Sequence, residues 1–183
     1  MLIAIHKPFG VLSQFTPEAD GQRTLAEFDL PKKVYPIGRL DRDSEGLLLL
    51  TDEKRKVDQL LNPHHKIAKR YYAQVEGDPT PEQLKKLRKG VTIRINKRDH
   101  KTAPAEAKLL VDIPVFEARI PPIRVRKTVP DAWIELVITE GKNRQVRRMC
   151  AAVGLPVLRL IRRQIDAHKL GELKQGEWRI VSK

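Results

Sequence analysis

Short apolar segments recur along the chain between polar ones, and this pattern predicts several strands and few helices. Residues 2–5 and 47–50 are wholly apolar runs typical of buried strands. Residues 71–76 alternate like a half-buried strand, and residues 133–139 have the apolar and β-branched composition that strands favour. Because strands and helices do not alternate regularly, we predict an α+β fold with a mixed, largely antiparallel sheet, and one domain over residues 1–183.

Two helices are predicted between these strands. Residues 53–61 form a short helix that ends before Asn62 and Pro63. A second helix begins after Thr80, which can cap it, with a proline at the first helical position and a glutamine that completes a capping box. Gly90 is expected to end this helix.

A third helix is predicted from the N-cap Asn143 to Val153, with Gly154 as its stop. Helical spacing puts Arg144 and Arg148 on the face opposite the buried stripe, while Arg147 lies at the margin of that stripe. A partly buried cation would fit this margin, although a solvated helix face is the commoner role for such arginines. The stripe consists of Val146, Met149, Cys150 and Val153.

The segment between the second helix and the strand at residue 133 is basic. Up to Glu117 it has a strand-like composition. Residues 120–130 contain Pro121 and Pro122 among several cations, which predicts an irregular surface loop able to touch phosphates.

The chain is strongly basic, with 36 Lys and Arg against 23 Asp and Glu, a net charge of +13 and a pI near 10.0. Such a surface attracts polyanions and predicts salt-sensitive binding. The one cysteine excludes an intramolecular disulfide, and we expect a cytoplasmic protein without a membrane span. The histidines lack the spacing of a metal site, so no metal is expected.

Asp41 is the strongest candidate for chemistry, since it lies between Arg39 and Arg42 just before the apolar run at residue 47. Neighbouring positive charge should lower its pKa and keep the carboxylate ionised and nucleophilic. A retaining glycosidase would use it with a second acid, for which Asp43 or Glu45 is available. A solvated surface turn is equally compatible with the spacing, whereas a calcium loop would need ligands from the apolar strand.

Four segments resemble the pseudouridine synthases that modify ribosomal RNA, in the branch that comprises small-subunit synthase A and large-subunit synthases B, E and F. They occur in the family's order and span most of the chain, and the sequence PPIRVRKTVPDAWIEL is most similar to subgroup E of the large-subunit synthases. The four segments are HKPFGVLSQFT, YPIGRLDRDSEGLLLLTD, KRYYAQVEG and EGKNRQVRRMCAAVGLPVLRLIR.

The resemblance implies a pseudouridine synthase fold with a central cleft, and isomerisation of a flipped-out uridine in 23S ribosomal RNA without a cofactor. It implies that Asp41 attacks, that Arg147 pairs with Asp41, and that Tyr71 packs against the base. We further expect that the chain begins at the catalytic domain, without a separate N-terminal RNA-binding module, and that it is a monomer by default. The cations and polar groups around the motifs would contact RNA, namely Arg39, Arg42, Lys69, Lys142, Asn143, Arg144 and Arg148.

The chain departs from the family's pattern at Lys142, where the family usually has arginine. Lysine keeps the positive charge but loses the planar fork that grips phosphate bidentately. The alternatives left open are a pseudouridine synthase acting on 16S ribosomal RNA or tRNA, a non-catalytic basic protein that binds ribosomal RNA, and a glycoside hydrolase.

Overall fold

The computed structural model describes residues 1–123 and 128–182. The chain divides into two compact units, one formed by Met1–Ile67 with Ile161–Lys183 and the other by Ala68–Leu160. In chain order the elements are β1 (Leu2–Lys7), β2 (Val11–Leu12), β3 (Arg23–Thr24), β4 (Tyr35–Pro36), β5 (Glu45–Thr51), α1 (Lys54–Leu61), β6 (Lys69–Glu76), α2 (Pro81–Lys89), β7 (Thr92–Ile95), β8 (Arg98–Lys101), β9 (Glu106–Leu109), β10 (Asp131–Ile138), α3 (Gln145–Ala152), β11 (Val157–Ile165), β12 (His168–Lys169) and β13 (Trp178–Ser182).

The first unit is built on the strand order β13–β1–β5–β11. β1 runs antiparallel to both β13 and β5, whereas β5 runs parallel to β11. All seven residues of β5 are buried, as the apolar run at residues 47–50 predicts. Burying each leucine there contributes about 2 kcal/mol, so this strand is a rigid base for the loop that precedes it.

In the second unit β10 pairs antiparallel with β6 on one side and β9 on the other, and β7 and β8 form a hairpin. Burial alternates along β6, with Tyr71, Ala73 and Val75 buried and the intervening residues half-buried. The predicted mixed, largely antiparallel α+β fold is therefore confirmed.

The local helix signals are mostly confirmed. α2 has the complete Thr80–Gln83 capping box, and Gly90 follows it at φ 79°. α3 is shorter than predicted, and the expected N-cap Asn143 is wrong because Arg144 occupies that position with left-handed backbone. Val146, Met149 and Cys150 are buried as predicted, and Val153 is half-buried.

The basic segment before β10 is less regular than predicted. It forms β7, β8 and β9, but residues 110–117 are not strands, so the strand expectation is wrong for them. Residues 120–123 and 128–130 lack helix and strand, as the prolines predict, while 124–127 of the same predicted loop lie outside the described residues. Within the described part of the chain, no helix has the length and apolarity required to cross a membrane.

Candidate active site

The loop that carries Asp41 is tied on both sides to the turn that follows β1. Ser13 Oγ accepts a hydrogen bond from Leu40 N at 3.0 Å and donates one to Leu40 O at 2.7 Å. On the other side Gly10 N donates to Arg42 O at 2.8 Å. The residues flanking Asp41 are therefore fixed, while Asp41 itself stays half-buried. A carboxylate held in this way can meet a ligand without first being ordered.

The buried side chain of Lys7 also stabilises this turn through hydrogen bonds. This lysine is the last residue of β1, has no exposed surface, and donates from Nζ to Pro8 O at 2.9 Å and Val11 O at 2.8 Å. Burial lowers the pKa of Lys7 from 10.5 to about 7, partly opposed by the negative charge of Glu45. Its charge also acts on Asp41 and Asp43. Lys7 is thus both an anchor of the turn and a titratable charge near the candidate nucleophile.

The predicted flanking arginines point their guanidinium groups towards the surface. Arg39 donates to Gln14 Oε1 at 3.3 Å and lies 3.6 Å from Glu18 Oε1, while Arg42 Nε donates to Gly10 O at 3.3 Å. Both side chains are exposed and can reach phosphates.

The two other acids of this loop differ in exposure. Asp43 is half-buried, whereas Glu45 is fully buried as the first residue of β5. A proton donor for an external sugar must reach the leaving group, which a fully buried Glu45 cannot do in this conformation. The burial of β5 from its first residue also places the later positions of the considered calcium loop in a strand core.

Gly46 brings β5 and β11 unusually close beside this loop. A Cβ at Gly46 would lie 2.3 Å from Arg162 O, and the backbone adopts φ 104°. Arg162 is buried and donates from Nε to Leu47 O at 2.8 Å. Glycine is therefore required here both by space and by backbone conformation.

Tyr71 and Tyr72 face opposite sides of β6, as strand geometry predicts. Tyr71 is 8% exposed and lies opposite Leu136 of β10. Tyr72 is half-buried and packs edge-on against Phe116, with ring centroids 6.3 Å apart. The neighbouring candidate Lys69 is half-buried at the start of the same strand.

A carboxylate organises the loop before α3. Glu140 accepts hydrogen bonds from Gln145 Nε2 at 2.7 Å and Ala103 N at 2.9 Å, and His100 Nε2 lies 3.1 Å away. Burial would raise the pKa of Glu140, but these hydrogen bonds outweigh it and lower the pKa. Gln145 Oε1 also accepts a hydrogen bond from Lys142 N at 3.0 Å. The amide of Gln145 therefore bonds both Glu140 and Lys142 of this loop.

The three arginines at the start of α3 differ in their hydrogen-bond partners. Arg147 is half-buried and donates from Nη1 to Val157 O at 3.1 Å, which confirms its predicted place at the helix margin. Arg148 is half-buried rather than solvated, because it donates to Arg94 O and to Asn143 Oδ1. Arg144 is also half-buried, at φ 50°. The solvated helix face, the commoner role for such arginines, therefore does not describe Arg144 or Arg148.

Asp41 thus belongs to the first unit, together with Lys7, while Tyr71 and Arg147 belong to the second. Sequence reasoning missed Lys7, Glu140 and Gln145 as positioning residues. The first of these could have been suspected from a lysine directly before a Pro-x-Gly turn, since such a turn leaves carbonyl groups that need donors. No group of three or more His, Cys, Asp or Glu suited to a metal ion occurs among residues 1–123 and 128–182.

A protein-family model described as RNA pseudouridylate synthase matches residues 1–152 of this sequence. The chain belongs to that family. It is 54% identical over 181 residues to ribosomal large subunit pseudouridine synthase E of Xanthomonas campestris pv. campestris, covering 98% of this chain and 95% of that protein. It is 45% identical to the enzyme of the same name from Vibrio vulnificus, covering 99% of this chain and 75% of that protein.

A solved pseudouridylate synthase structure has the same fold. It matches with a TM-score of 0.79 and 26% identity, over 99% of this chain and 70% of that chain. The resemblance drawn from the four motifs, including the similarity to subgroup E, is therefore confirmed. The chain is an RNA pseudouridine synthase by family, and its fold is that of the family.

Proposed function

We propose that this chain isomerises one uridine of 23S ribosomal RNA to pseudouridine, with Asp41 as the attacking group. The observation that carries the proposal is the half-buried Asp41, whose neighbours Leu40 and Arg42 are both tied to the turn after β1. Family membership supplies the reaction, and the names of the two relatives support the large-subunit substrate.

The reaction is an internal exchange of bonds that needs no cofactor. The bond from N1 to C1′ breaks, the uracil turns, C5 bonds to C1′, the proton on C5 leaves to a base, and N1 takes up a proton. Asp41 acts either on C1′ or on C6 of the ring. The uridine must first leave its stack, at a cost of a few kcal/mol that stacking and phosphate contacts offset.

Tyr71 and Arg147 are proposed to complete this site. The ring of Tyr71, fixed in β6, would pack against the flipped base, since an aromatic face is a general stacking surface for bases. Arg147, whose side chain is oriented by its bond to Val157 O, would pair with Asp41 and keep it ionised.

RNA would be held by basic and polar side chains around these three residues. Charged donors bind phosphate oxygens strongly, although Lys142 offers a point charge where the family usually has a planar guanidinium. We propose that the enzyme acts as a monomer in the cytoplasm, where its substrate is made. The proposed RNA contacts are Arg39, Arg42, Lys69, Lys142, Asn143, Arg144 and Arg148.

Deleting the gene and mapping pseudouridines in all cellular RNA tests the substrate. We expect one site in the large-subunit RNA to disappear and to return when the wild-type protein is supplied. Loss of a site in small-subunit RNA or tRNA instead would contradict the substrate assignment. An unchanged map in every RNA would contradict the enzyme assignment and favour a protein that binds RNA without modifying it.

A further inference from the structure

An open groove of about 380 Å³ lies in the second unit, and most of the residues that line it fall outside the four motifs of the family resemblance. The end of α2, the start of β7, the end of β8 and the end of α3 form its walls. Three lysines line it, Lys86 and Lys89 from α2 and Lys101 from β8. No acidic side chain is among the residues that line it.

The walls of this groove are fixed by backbone contacts. A Cβ at Gly90 would lie 2.3 Å from Thr102 O, so glycine lets the end of α2 approach the residue that follows β8 closely. Thr102 N donates to Val91 O and Thr102 Oγ1 accepts from Val91 N, both at 3.0 Å. Lys101 Nζ donates to Gly90 O at 2.8 Å, which holds its charge at the rim. The groove therefore has a defined shape in the free protein.

Its chemistry suits a nucleotide of an RNA backbone. The ammonium groups supply donors and positive charge for a phosphate, while Val91, Ala152 and Val153 give an apolar surface for a ribose or base. Lys86 and Lys89 also lie in the last turn of α2, where cations stabilise a helix by complementing its dipole. If Lys86 and Lys89 only stabilised the helix, replacing them would not change the affinity for RNA. An affinity measurement therefore separates the two roles.

We propose that this groove binds a backbone phosphate of the substrate RNA at a nucleotide other than the target uridine. The inference rests on the proposed function, and it adds to the RNA contacts already proposed. A contact remote from the reacting bonds that is equal in the ground and transition states raises affinity without changing the chemical step. The groove should therefore affect KM and leave kcat unchanged.

The double variant Lys86→Glu/Lys89→Glu tests the proposal against the matched control Lys54→Glu/Arg55→Glu, which makes the same charge change on exposed positions of α1. Binding is measured with a transcript of the large-subunit ribosomal RNA across a series of salt concentrations. We expect the groove variant to bind roughly tenfold more weakly or worse, and the slope of log K against log salt to flatten by about 1, as the loss of one phosphate contact requires. The control should keep the wild-type slope, and kcat should be unchanged in both.

Ala152→Glu and Ala152→Gln provide a second pair that leaves every lysine in place. The carboxylate should weaken binding at least several-fold more than the amide of similar size, because only the former repels phosphate. Equal slopes for the two double variants, or equal affinity of the Ala152 pair, would overturn the groove assignment. These experiments measure affinity and do not depend on catalysis. If the wild-type protein modified no RNA, that result would refute the proposed function without deciding whether the groove binds RNA.

Discussion

At the scale of single residues, the site depends on polar groups placed where water cannot compete with their partners. Lys7 is buried, yet both carbonyl groups that it bonds belong to the turn that holds the Asp41 loop. Burying an ammonium group costs free energy unless the group is well hydrogen-bonded. We therefore assign Lys7 the role of positioning the turn rather than that of stabilising the fold.

Lys7 should therefore give the protein an unusual pH dependence. Burial lowers its pKa to about 7 in the folded state, against 10.5 when exposed. Between these values the unfolded chain binds a proton that the folded chain lacks, so the contribution of Lys7 to the free energy of unfolding rises with pH by up to about 1.4 kcal/mol per unit. Below pH 7 both states are protonated and the contribution is constant.

Chemical denaturation of the wild type and Lys7→Met from pH 6 to pH 10 measures this effect. The difference in unfolding free energy should be level below pH 7 and then shift in favour of the wild type as the pH rises. Lys54→Met, an exposed change on α1, serves as the control and should show no such shift. A flat difference across the whole range for Lys7→Met would show that its pKa is not lowered.

At the scale of elements, β5 and β11 support the loop because their backbones approach closely at Gly46. In Gly46→Ala the added Cβ would meet Arg162 O at 2.3 Å in a backbone conformation that alanine rarely adopts. We expect a loss of several kcal/mol in unfolding free energy, or failure to fold. Urea denaturation of Gly141→Ala is the control, since nothing lies within 4 Å of that Cβ; equal stability of the two variants would contradict the strand packing described above.

The loop before α3 gives a second prediction at this scale. Gln145→Ala removes the bonds to Glu140 and Lys142 N, which fix the segment that leads into Arg144 and Arg147. Two lost bonds at a buried side chain should cost about 2 kcal/mol of stability and lower kcat/KM by misplacing Arg147. Gln74→Ala, which loses only an exposed bond to Asp131, should change neither quantity substantially; an inactive Gln74→Ala or a fully active Gln145→Ala would contradict this role.

These elements also show how far sequence alone can lead. α2 was predictable because its start and end are encoded locally, in Thr80, Gln83 and Gly90. The start of α3 was not, because Glu140 reaches Gln145 and Ala103 through contacts that no local pattern reveals. The motifs identified Asp41, but the anchoring of its loop depends on Ser13 and Lys7, which are distant in sequence.

At the scale of the whole molecule, the net charge of +13 determines how strongly the affinity for RNA depends on salt. Cations that neutralise phosphates release counterions, so affinity should fall steeply with salt whatever the sequence bound. If about six phosphates are contacted, binding should weaken on the order of 1,000-fold between 50 and 200 mM salt. Filter binding with large-subunit ribosomal RNA measures this, and an affinity independent of salt would contradict electrostatic docking.

The decisive measurement is pseudouridine formation by purified wild type and Asp41→Asn on the same large-subunit RNA, with RNA affinity measured in parallel. Asparagine keeps the size of the side chain and one acceptor oxygen but removes the negative charge that attacks the nucleoside. We predict that Asp41→Asn binds the RNA as the wild type does and forms no pseudouridine. Pseudouridine formed by Asp41→Asn at the wild-type rate would contradict the assignment of Asp41 as the nucleophile.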